Sequence, residues 1–312
     1  MKTHIKHIMK KTNIFRAALV AVIAFAGVAN AYAADFHKNI GIQLYSVMDA
    51  MNKDPKGTVE KLAEMGYKNF ELVQWGGEPK VFGMDAKDFR GWANRNGVKI
   101  LSTHSGIQED LANEEEIMNK WRQLFEIQKT CGGKYFVIPS YQAEYTTAGI
   151  KQMADYFNKV GKLAKEYGLT LGYHNHSHEF TKLKDSDQLM WEYLVENTDP
   201  DLVCFELDVY WATKGNQSPV ALLQKYPKRI KLLHIKDDFV IGASGTIDFE
   251  NIFKQFYKNG MKDFVVEIET PQSLREKKNE DGSNYTAEQI NNELLAAARF
   301  SVEYLNNAKF VK

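Results

Sequence analysis

Four apolar segments in the second half of the chain each end in side chains that bind divalent metals. The segments are Leu171–Glu179 (LGYHNHSHE), Cys204–Trp211 (CFELDVYW), Leu232–Asp237 (LLHIKD) and Phe264–Thr270 (FVVEIET). A short apolar run is typical of a strand buried on both faces, and a polar cluster at its carboxyl end is unusual. Because the arrangement occurs four times, we expect parallel strands that carry these side chains to one mouth of a sheet. The pattern favours a metal enzyme.

The polar residues at these strand ends are spaced so that they share faces, since side chains two positions apart on a strand point the same way. The alternation predicts four pairs, which are His174 with His176, Glu206 with Asp208, His234 with Lys236, and Glu267 with Glu269. If the strands are neighbours, imidazoles and carboxylates converge on one volume. Such mixed ligands suit Zn, Mn, Co or Fe, with positions left open for a substrate. The alternative is a network of paired polar groups that fills the upper barrel.

Strand-like segments recur along the chain, and their starts are about 28 to 36 residues apart, the length of one strand–helix unit. The predicted strands are Ile40–Tyr45, Lys68–Leu72, Lys99–Ser102, Tyr135–Ile138, Leu169–Tyr173, Leu202–Leu207, Ile230–His234 and Phe264–Ile268. The intervening segments, such as Thr58–Met65 and Ile150–Tyr167, have helical periodicity and end at a glycine. This rhythm predicts an α/β fold, a single-domain (β/α)8 TIM barrel. A doubly wound open sheet is the main alternative, but its glycine-rich first turn is missing after Tyr45.

Residues 1–33 have the pattern of a secretory signal peptide. The basic n-region contains Lys2, Lys6, Lys10, Lys11 and Arg16. It is followed by an apolar h-region, Ala17–Val28, and by an A-x-A cleavage site, Ala31-Tyr32-Ala33. The h-region is too short to span a bilayer. A buried N-terminal helix is the alternative. We therefore expect residues 34–312 to form the barrel domain of a secreted protein, periplasmic if the host has two membranes.

The charge balance argues against a polyanionic partner. The chain has 40 basic and 40 acidic residues. The predicted signal peptide contains five of the basic residues and no acidic ones, so the mature protein is mildly acidic. Such a surface does not favour nucleic acid. Cys131 and Cys204 lack the CxxC spacing of a thiolate metal site, and we expect them to be free thiols on non-adjacent strands.

The motifs resemble those of the sugar phosphate isomerase/epimerase superfamily, the xylose isomerase-like TIM barrels. The resemblance is carried by YHNHSHEF on the fifth strand, ELDVYWATKG on the sixth, LLHIKD on the seventh and VVEIE on the eighth, and it extends over essentially the whole mature chain. It implies one divalent metal ion, held by Glu, Asp, His and Glu from strands five to eight. Asp208, His234 and Glu267 match the last three of these ligands.

The fifth strand departs from that pattern, because His-Asn-His at 174–176 replaces the glutamate of many relatives. Either His174 or His176 is expected as the fourth ligand. In two-base ketose epimerases the glutamates of strands five and eight exchange protons on opposite faces of the substrate, so the change weakens the case for that mechanism. The chemistry that the resemblance implies is removal of a proton next to a carbonyl, with a metal-stabilised enediolate. Glu267 is the expected base, with His176, Lys236 or Glu179 as catalytic partner.

The rest of the pocket is expected from the early strands and from the loop after the sixth strand. The residues expected to bind substrate are Gln43, Tyr45, Glu71, Trp75, His104, Trp211 and Glu269. Trp211 stands where ketose epimerase relatives often have a substrate-binding histidine, which indicates a different substrate.

The leading functional hypothesis is a metal-dependent isomerase or epimerase of a non-phosphorylated sugar or keto sugar, because phosphorylated intermediates stay in the cytoplasm. A lyase or dehydratase that eliminates from a keto-glycoside is the alternative at the same site. A non-catalytic sugar-binding barrel is the alternative of another class. Phosphodiester cleavage, as in endonuclease IV, is disfavoured by the acidic charge and by export. The expected partner is a small carbohydrate, without nucleic acid and without a membrane after signal cleavage, and a homo-oligomer is compatible with the sequence.

Overall fold

The computed structural model describes residues 38–74 and 80–312. The predicted signal peptide and Trp75 lie outside these ranges. Within them, eight parallel strands close into a barrel in chain order, with β1 paired to both β2 and β8. The strands are β1 Gly41–Gln43, β2 Asn69–Val73, β3 Lys99–His104, β4 Tyr135–Ile138, β5 Thr170–His174, β6 Val203–Asp208, β7 Ile230–Ile235 and β8 Asp263–Val266. The prediction of a (β/α)8 barrel is confirmed.

One principal helix follows each strand and packs on the outside of the barrel. These helices are α1 Pro55–Met65, α2 Ala86–Arg95, α3 Glu114–Cys131, α4 Thr147–Glu166, α5 Met190–Asn197, α6 Pro219–Lys225, α7 Phe249–Lys258 and α8 Ala287–Asn307. Shorter helices, Met48–Lys53, Val209–Lys214 and Gln272–Arg275, lie in the loops at the carboxyl ends of the strands. After α1, Gly66 has a φ of 110°, a left-handed conformation that glycine adopts without steric cost.

The first strand is shorter than the predicted Ile40–Tyr45. It ends at Gln43, and a 3-10 turn, Leu44–Val47, begins there. The Gln43 side chain causes this ending, because its Oε1 accepts a hydrogen bond from the Tyr45 backbone N–H at 2.9 Å. Tyr45 therefore lies in the turn above the strand, where it is 47% exposed.

The barrel interior changes from apolar to polar along β6, β7 and β8. Its apolar layer contains Leu101, Tyr135, Val137, Cys204, Leu232 and Val265. Two residues further along the chain, the same faces carry Glu206 on β6, His234 on β7 and Glu267 directly after the end of β8. Because side chains two positions apart on a strand point the same way, a residue in the apolar layer is followed two positions later by one at the barrel mouth. The site therefore lies directly above the packed core.

The placement predicted for the cysteines was half wrong. Cys204 lies on β6, but Cys131 is the last residue of α3. Both are buried free thiols, as expected.

No helix in the described part of the chain is long and apolar enough to cross a membrane.

Candidate active site

A cavity of about 270 Å³ opens at the carboxyl ends of the barrel strands. In a TIM barrel this is the face that carries active sites. Its walls come from the early strands and from β5 to β8, and they are formed by Tyr45, Val73, His104, Pro139, Ser140, His174, His176, Trp211, Lys236, Glu267 and Glu269. Most of these residues are polar or aromatic, a composition that suits a small polar ligand with some apolar faces.

Asp208, His234 and Glu267 form a compact set at the bottom of this cavity. Their ligand atoms all lie within 4.8 Å of one another. His234 Nδ1 is 3.3 Å from Asp208 Oδ2 and 3.8 Å from Glu267 Oε2. Atoms bound to one ion at about 2.0–2.2 Å are themselves about 3–3.5 Å apart, so small side-chain movements would bring all three onto a common ion. One imidazole and two carboxylates are a donor set that Zn, Mn, Co and Fe accept.

A second polar layer lies below this set and is almost fully buried. His104 Nε2 lies between two carboxylates, 3.0 Å from Glu71 Oε1 and 2.7 Å from Glu206 Oε2. Glu71 also accepts hydrogen bonds from Gln43 Nε2 at 2.8 Å and from Ser102 Oγ at 2.5 Å. These contacts satisfy charges that would otherwise be costly to bury, and they connect β1, β2, β3 and β6.

The protonation of this layer follows from burial and from its neighbours. Burial by itself would raise the pKa of Glu71, but His104 and His234 hold that pKa well below the usual range. Burial and the negative charge of Glu71 together raise the pKa of Glu206 to about 7. Burial would lower the pKa of His104, but the two carboxylates raise it to about 9. A proton is therefore retained within the group formed by Glu71, His104 and Glu206.

The orientation of His174 favours it over His176 as the fifth-strand metal ligand. Burial lowers its pKa well below the usual value, and neighbouring His234, His104, His176 and Lys236 lower it further. The ring is thus neutral. Its Nδ1 lies 3.1 Å from Glu206 Oε2, which assigns the ring proton to Nδ1. The lone pair is then on Nε2, which lies 3.9 Å from Asp208 Oδ2. A carboxylate that orients a histidine in this way is a common support of metal ligands.

His176 lies higher, beyond the end of β5, and lines the cavity. Among the residues that the structure places, none forms a hydrogen bond with its buried Nδ1. Glu179 supports the loop from below, since it accepts hydrogen bonds from the His176 backbone N–H at 2.8 Å and from Tyr173 Oη at 2.9 Å. Glu179 is fully buried and outside the cavity wall. This placement suits an anchor of the His176 loop better than the predicted catalytic role.

Lys236 contacts the predicted base, Glu267, and two other residues of the cavity wall, Glu269 and Trp211. Its Nζ donates a hydrogen bond to Glu267 Oε2 at 2.8 Å and another to Glu269. The same ammonium lies 4.9 Å from the ring centre of Trp211, within the range of a cation–π contact. Burial would lower the pKa of Lys236, but Glu267 and Asp208 raise it above the usual value. The lysine is therefore held as a cation that faces the cavity.

The predicted substrate-binding residues fall into two groups. Tyr45, His104, Trp211 and Glu269 line the cavity. Gln43 and Glu71 are fully buried below it and bound to each other, so their placement suits positioning of His104 and His234 rather than substrate contact. Trp75 lies outside the described residues.

The sequence pattern placed Glu206 on the same face as Asp208 but gave it no role. The structure shows that it contacts His104 and His174. Its two-residue spacing from Asp208 was the signal that could have found it. Pro139 and Ser140, in the loop after β4, also line the cavity. They were missed because a loop position has no periodicity from which its direction can be predicted.

The closed parallel barrel and the imidazole–carboxylate cluster at its mouth define a TIM barrel of the enzyme type. Residues 59–292 match the family model described as xylose isomerase-like TIM barrel. The chain belongs to this family, as its motifs predicted.

Curated relatives are named inosose dehydratase. The chain is 26% identical over 248 residues to the inosose dehydratase of Geobacillus kaustophilus, which covers 67% of this chain and 77% of that protein. It is 28% identical over 159 residues to the inosose dehydratase of Clostridium beijerinckii, covering 44% of this chain and 49% of the relative. The second match thus spans about half the length of that relative.

A solved structure shares both fold and sequence with the chain. A sugar phosphate isomerase/epimerase from Parabacteroides distasonis is 32% identical, with a TM-score of 0.76, and the match covers 88% of this chain and 100% of the other. A D-psicose 3-epimerase from Clostridium cellulolyticum, at 16% identity and a TM-score of 0.64, shares the fold.

Proposed function

We propose that the protein is a metal-dependent lyase that removes a proton next to the carbonyl of a non-phosphorylated keto sugar and then expels an oxygen substituent from the adjoining carbon. The observation that carries the proposal is the pairing of Glu267 with Lys236 in the cavity, directly above Asp208 and His234. A carboxylate and an ammonium at hydrogen-bond distance supply a base and a hydrogen-bond donor on one side of a bound sugar.

The ligands proposed for the metal are His174, Asp208, His234 and Glu267. The donor atoms suit a divalent ion, since those of Asp208, His234 and Glu267 lie within 4.8 Å of one another and Nε2 of His174 lies 3.9 Å from Asp208 Oδ2. Such an ion, when bound, polarises the carbonyl of the sugar and makes the neighbouring C–H bond more acidic.

The remaining steps are assigned to side chains of the cavity. Glu267 accepts the proton, because its side chain lines the cavity and is 13% exposed, whereas those of Glu71, Glu206 and Asp208 are 0% exposed. Lys236 donates a hydrogen bond to the oxygen that leaves and stabilises its developing negative charge. Trp211 forms an apolar wall against one face of the sugar ring.

Elimination is placed before the isomerase or epimerase outcome for two reasons. The curated relatives described above are named dehydratases. In addition, the fifth strand carries no glutamate at 174–176 that could serve as a second carboxylate base. Epimerisation is the second candidate, and His176 favours it, because its neutral ring lines the cavity. Burial lowers the pKa of His176, which keeps the imidazole able to accept a proton.

The proposed substrate carries no phosphate, and the proposed location is outside the cytoplasm. The signal-peptide pattern of residues 1–33 supports export. The charge of the cavity supports the same choice, since Lys236 is already paired with Glu267 and Glu269. A phosphate group in this cavity would meet these carboxylates, and the one lysine among the described lining residues is already paired with them.

The test is an assay of the purified mature protein with keto sugars in heavy water, followed by NMR. The proposal expects deuterium in the recovered substrate at the carbon next to the carbonyl, together with an unsaturated ketone that has lost this hydrogen and a released alcohol or water. Deuterium incorporation with inverted configuration and no elimination would select the epimerase. Binding of the sugar with neither exchange nor product would select the non-catalytic sugar-binding barrel. Asp187→Asn is a matched control, because that carboxylate is 98% exposed, in contrast to the buried carboxylates of the site.

A further inference from the structure

A second compartment adjoins the catalytic cavity. It has a volume of about 520 Å³ and shares the residues Trp211, Lys236 and Glu269 with the inner cavity. Its remaining walls are formed by Tyr210, Asp237, Asp238, Thr270, Pro271, Gln272 and Arg275. The inner cavity, at about 270 Å³, is slightly smaller than pockets for drug-sized ligands, whereas the outer compartment lies within their range of roughly 300–1,000 Å³. The inner space fits one small ring, and the outer space has no role in the step proposed above.

The walls of this outer compartment have the chemistry of a sugar-binding surface. The rings of Tyr210 and Trp211 are adjacent, with centres 5.1 Å apart. The Nε of Arg275 donates a hydrogen bond to the Thr270 carbonyl oxygen at 3.3 Å. The residue is exposed. Asp238 is exposed, with Oδ1 3.6 Å from Lys214 Nζ. Aromatic faces beside charged hydrogen-bonding groups suit a polyhydroxylated ring better than an apolar group.

The compartment has one buried carboxylate that is held by hydrogen bonds and three side chains that are exposed or partly exposed. Asp237 is buried, and its two oxygens accept hydrogen bonds from the backbone N–H groups of Asp238 and Gly242 at 2.8 and 2.9 Å. It therefore holds the loop in shape. Tyr210 is partly exposed, Asp238 and Arg275 are exposed, and all three line the compartment. These three are the candidates for contact with a ligand.

We propose that the outer compartment binds a second sugar residue, so that the substrate is a glycoside with its oxidised sugar in the inner cavity. This inference rests on the proposed lyase function and names its substrate class. The glycosidic oxygen then lies at the junction, beside Lys236, Glu269 and Trp211, which both compartments share. The bond that breaks is placed next to the side chain proposed to stabilise the leaving oxygen.

The position of the carbonyl follows from the chemistry. The leaving oxygen is on C1, so the acidic C–H is at C2 and the carbonyl is at C3. Glu267 takes the proton from C2, the electron pair forms the C1–C2 double bond, and the C1–O bond breaks. The second sugar leaves with the electron pair of the broken C1–O bond on its oxygen, and that oxygen takes up one proton, which balances the proton removed from C2. The products are an unsaturated keto sugar and an intact second sugar, and no oxidant or reductant is consumed.

The experiment compares two sizes of leaving group on the same keto sugar. The probes are maltose and cellobiose oxidised at C3 of the non-reducing sugar, each beside the methyl 3-ketoglucoside of the same anomeric configuration. We expect kcat/KM to be at least about tenfold higher for the disaccharide of the preferred configuration, because remote binding energy is used in the transition state. Tyr210→Ala and Arg275→Ala should each reduce this preference several-fold. Arg122→Ala, an arginine on the exposed face of α3, should leave it unchanged.

The outcomes separate this inference from the proposed function. Equal kcat/KM for disaccharide and methyl glycoside, or a preference that survives both substitutions, would overturn the second-sugar subsite and leave the lyase proposal intact. If no probe is turned over, the lyase proposal fails, and the subsite is then tested by calorimetric binding to the Glu267→Gln variant. Tighter binding of the disaccharide, lost on adding Arg275→Ala, would support the subsite in that case. Equal affinities would refute it.

Discussion

His174 Nδ1 and Glu206 Oε2 lie 3.1 Å apart, and this contact determines which nitrogen of the ring faces the site. Both residues are almost completely buried. Because Glu206 also contacts His104 Nε2 at 2.7 Å, one carboxylate orients two imidazoles from different strands. The direction of the His174 lone pair is therefore set by a residue outside the cavity wall.

The metal site is tested by removing its ligands. The wild-type protein should purify or reconstitute with about one equivalent of Mn, Co, Zn or Fe, and Asp208→Ala or His234→Ala should lose most of it, because each removes one of a few donor atoms. Metal content by elemental analysis measures this directly. Asp187→Asn serves as the control with an exposed carboxylate. Full metal occupancy in both ligand variants would contradict the assignment of the site.

Glu206 should act on the metal through His174. We expect Glu206→Gln to weaken metal affinity by roughly 10–100-fold, the usual effect of losing an outer-shell partner, without removing a ligand. Competition with a chelator measures the affinity independently of turnover. An unchanged affinity in Glu206→Gln, combined with a full loss in His176→Ala, would identify His176 as the fifth-strand ligand instead.

Glu267 is expected to carry the proton transfer. Glu267→Gln keeps the size of the side chain but removes its basicity, so the rate of deuterium exchange next to the carbonyl should fall by about 10²–10⁴-fold. Exchange is measured by NMR at matched metal occupancy, which separates loss of the base from loss of the ion. Exchange at the wild-type rate in a metal-loaded variant would show that another group removes the proton.

The buried layer below the cavity should contribute to stability. Glu71→Leu leaves His104 with one carboxylate partner and Gln43 without its acceptor, so the free energy of unfolding should fall by about 3–5 kcal/mol. Urea unfolding followed by circular dichroism measures the change. Glu269→Leu is the comparison, since that side chain is 44% exposed, and its effect should be much smaller. Equal effects of the two substitutions would mean that burial does not control the cost.

The two thiols should be unreactive in the native protein. Burial raises the pKa of Cys131 and of Cys204 to about 12 in each case, so at pH 8 almost no thiolate is present, and neither sulfur is accessible. An aromatic disulfide reagent should label neither thiol until denaturant is added, and then both. Rapid native labelling of one thiol would show that its surroundings open readily.

The sequence by itself determined the barrel and the set of residues at its mouth. Short apolar runs recur at the interval of one strand–helix unit, and four of them end in His, Asp, Glu or Lys. This pattern predicts parallel strands with one polar end, because side chains alternate along a strand and the helices pack around the outside of the barrel. This local periodicity placed Asp208, His234 and Glu267 together. It did not predict the early end of β1, since that depends on Gln43 capping its own turn.

The tertiary structure decided which of these residues reach the cavity and which support it. Glu71 and Glu179 have the same residue type as Glu267 and Glu269 of the cavity, but they are fully buried, as is Gln43, and their carboxylates already accept hydrogen bonds. Glu206 gained a role only through contacts with His104 and His174, which come from other strands. Depth along the barrel axis and contacts across it depend on strand register and closure. These involve residues about 30 to 100 positions apart, and no local pattern in the sequence encodes such distances.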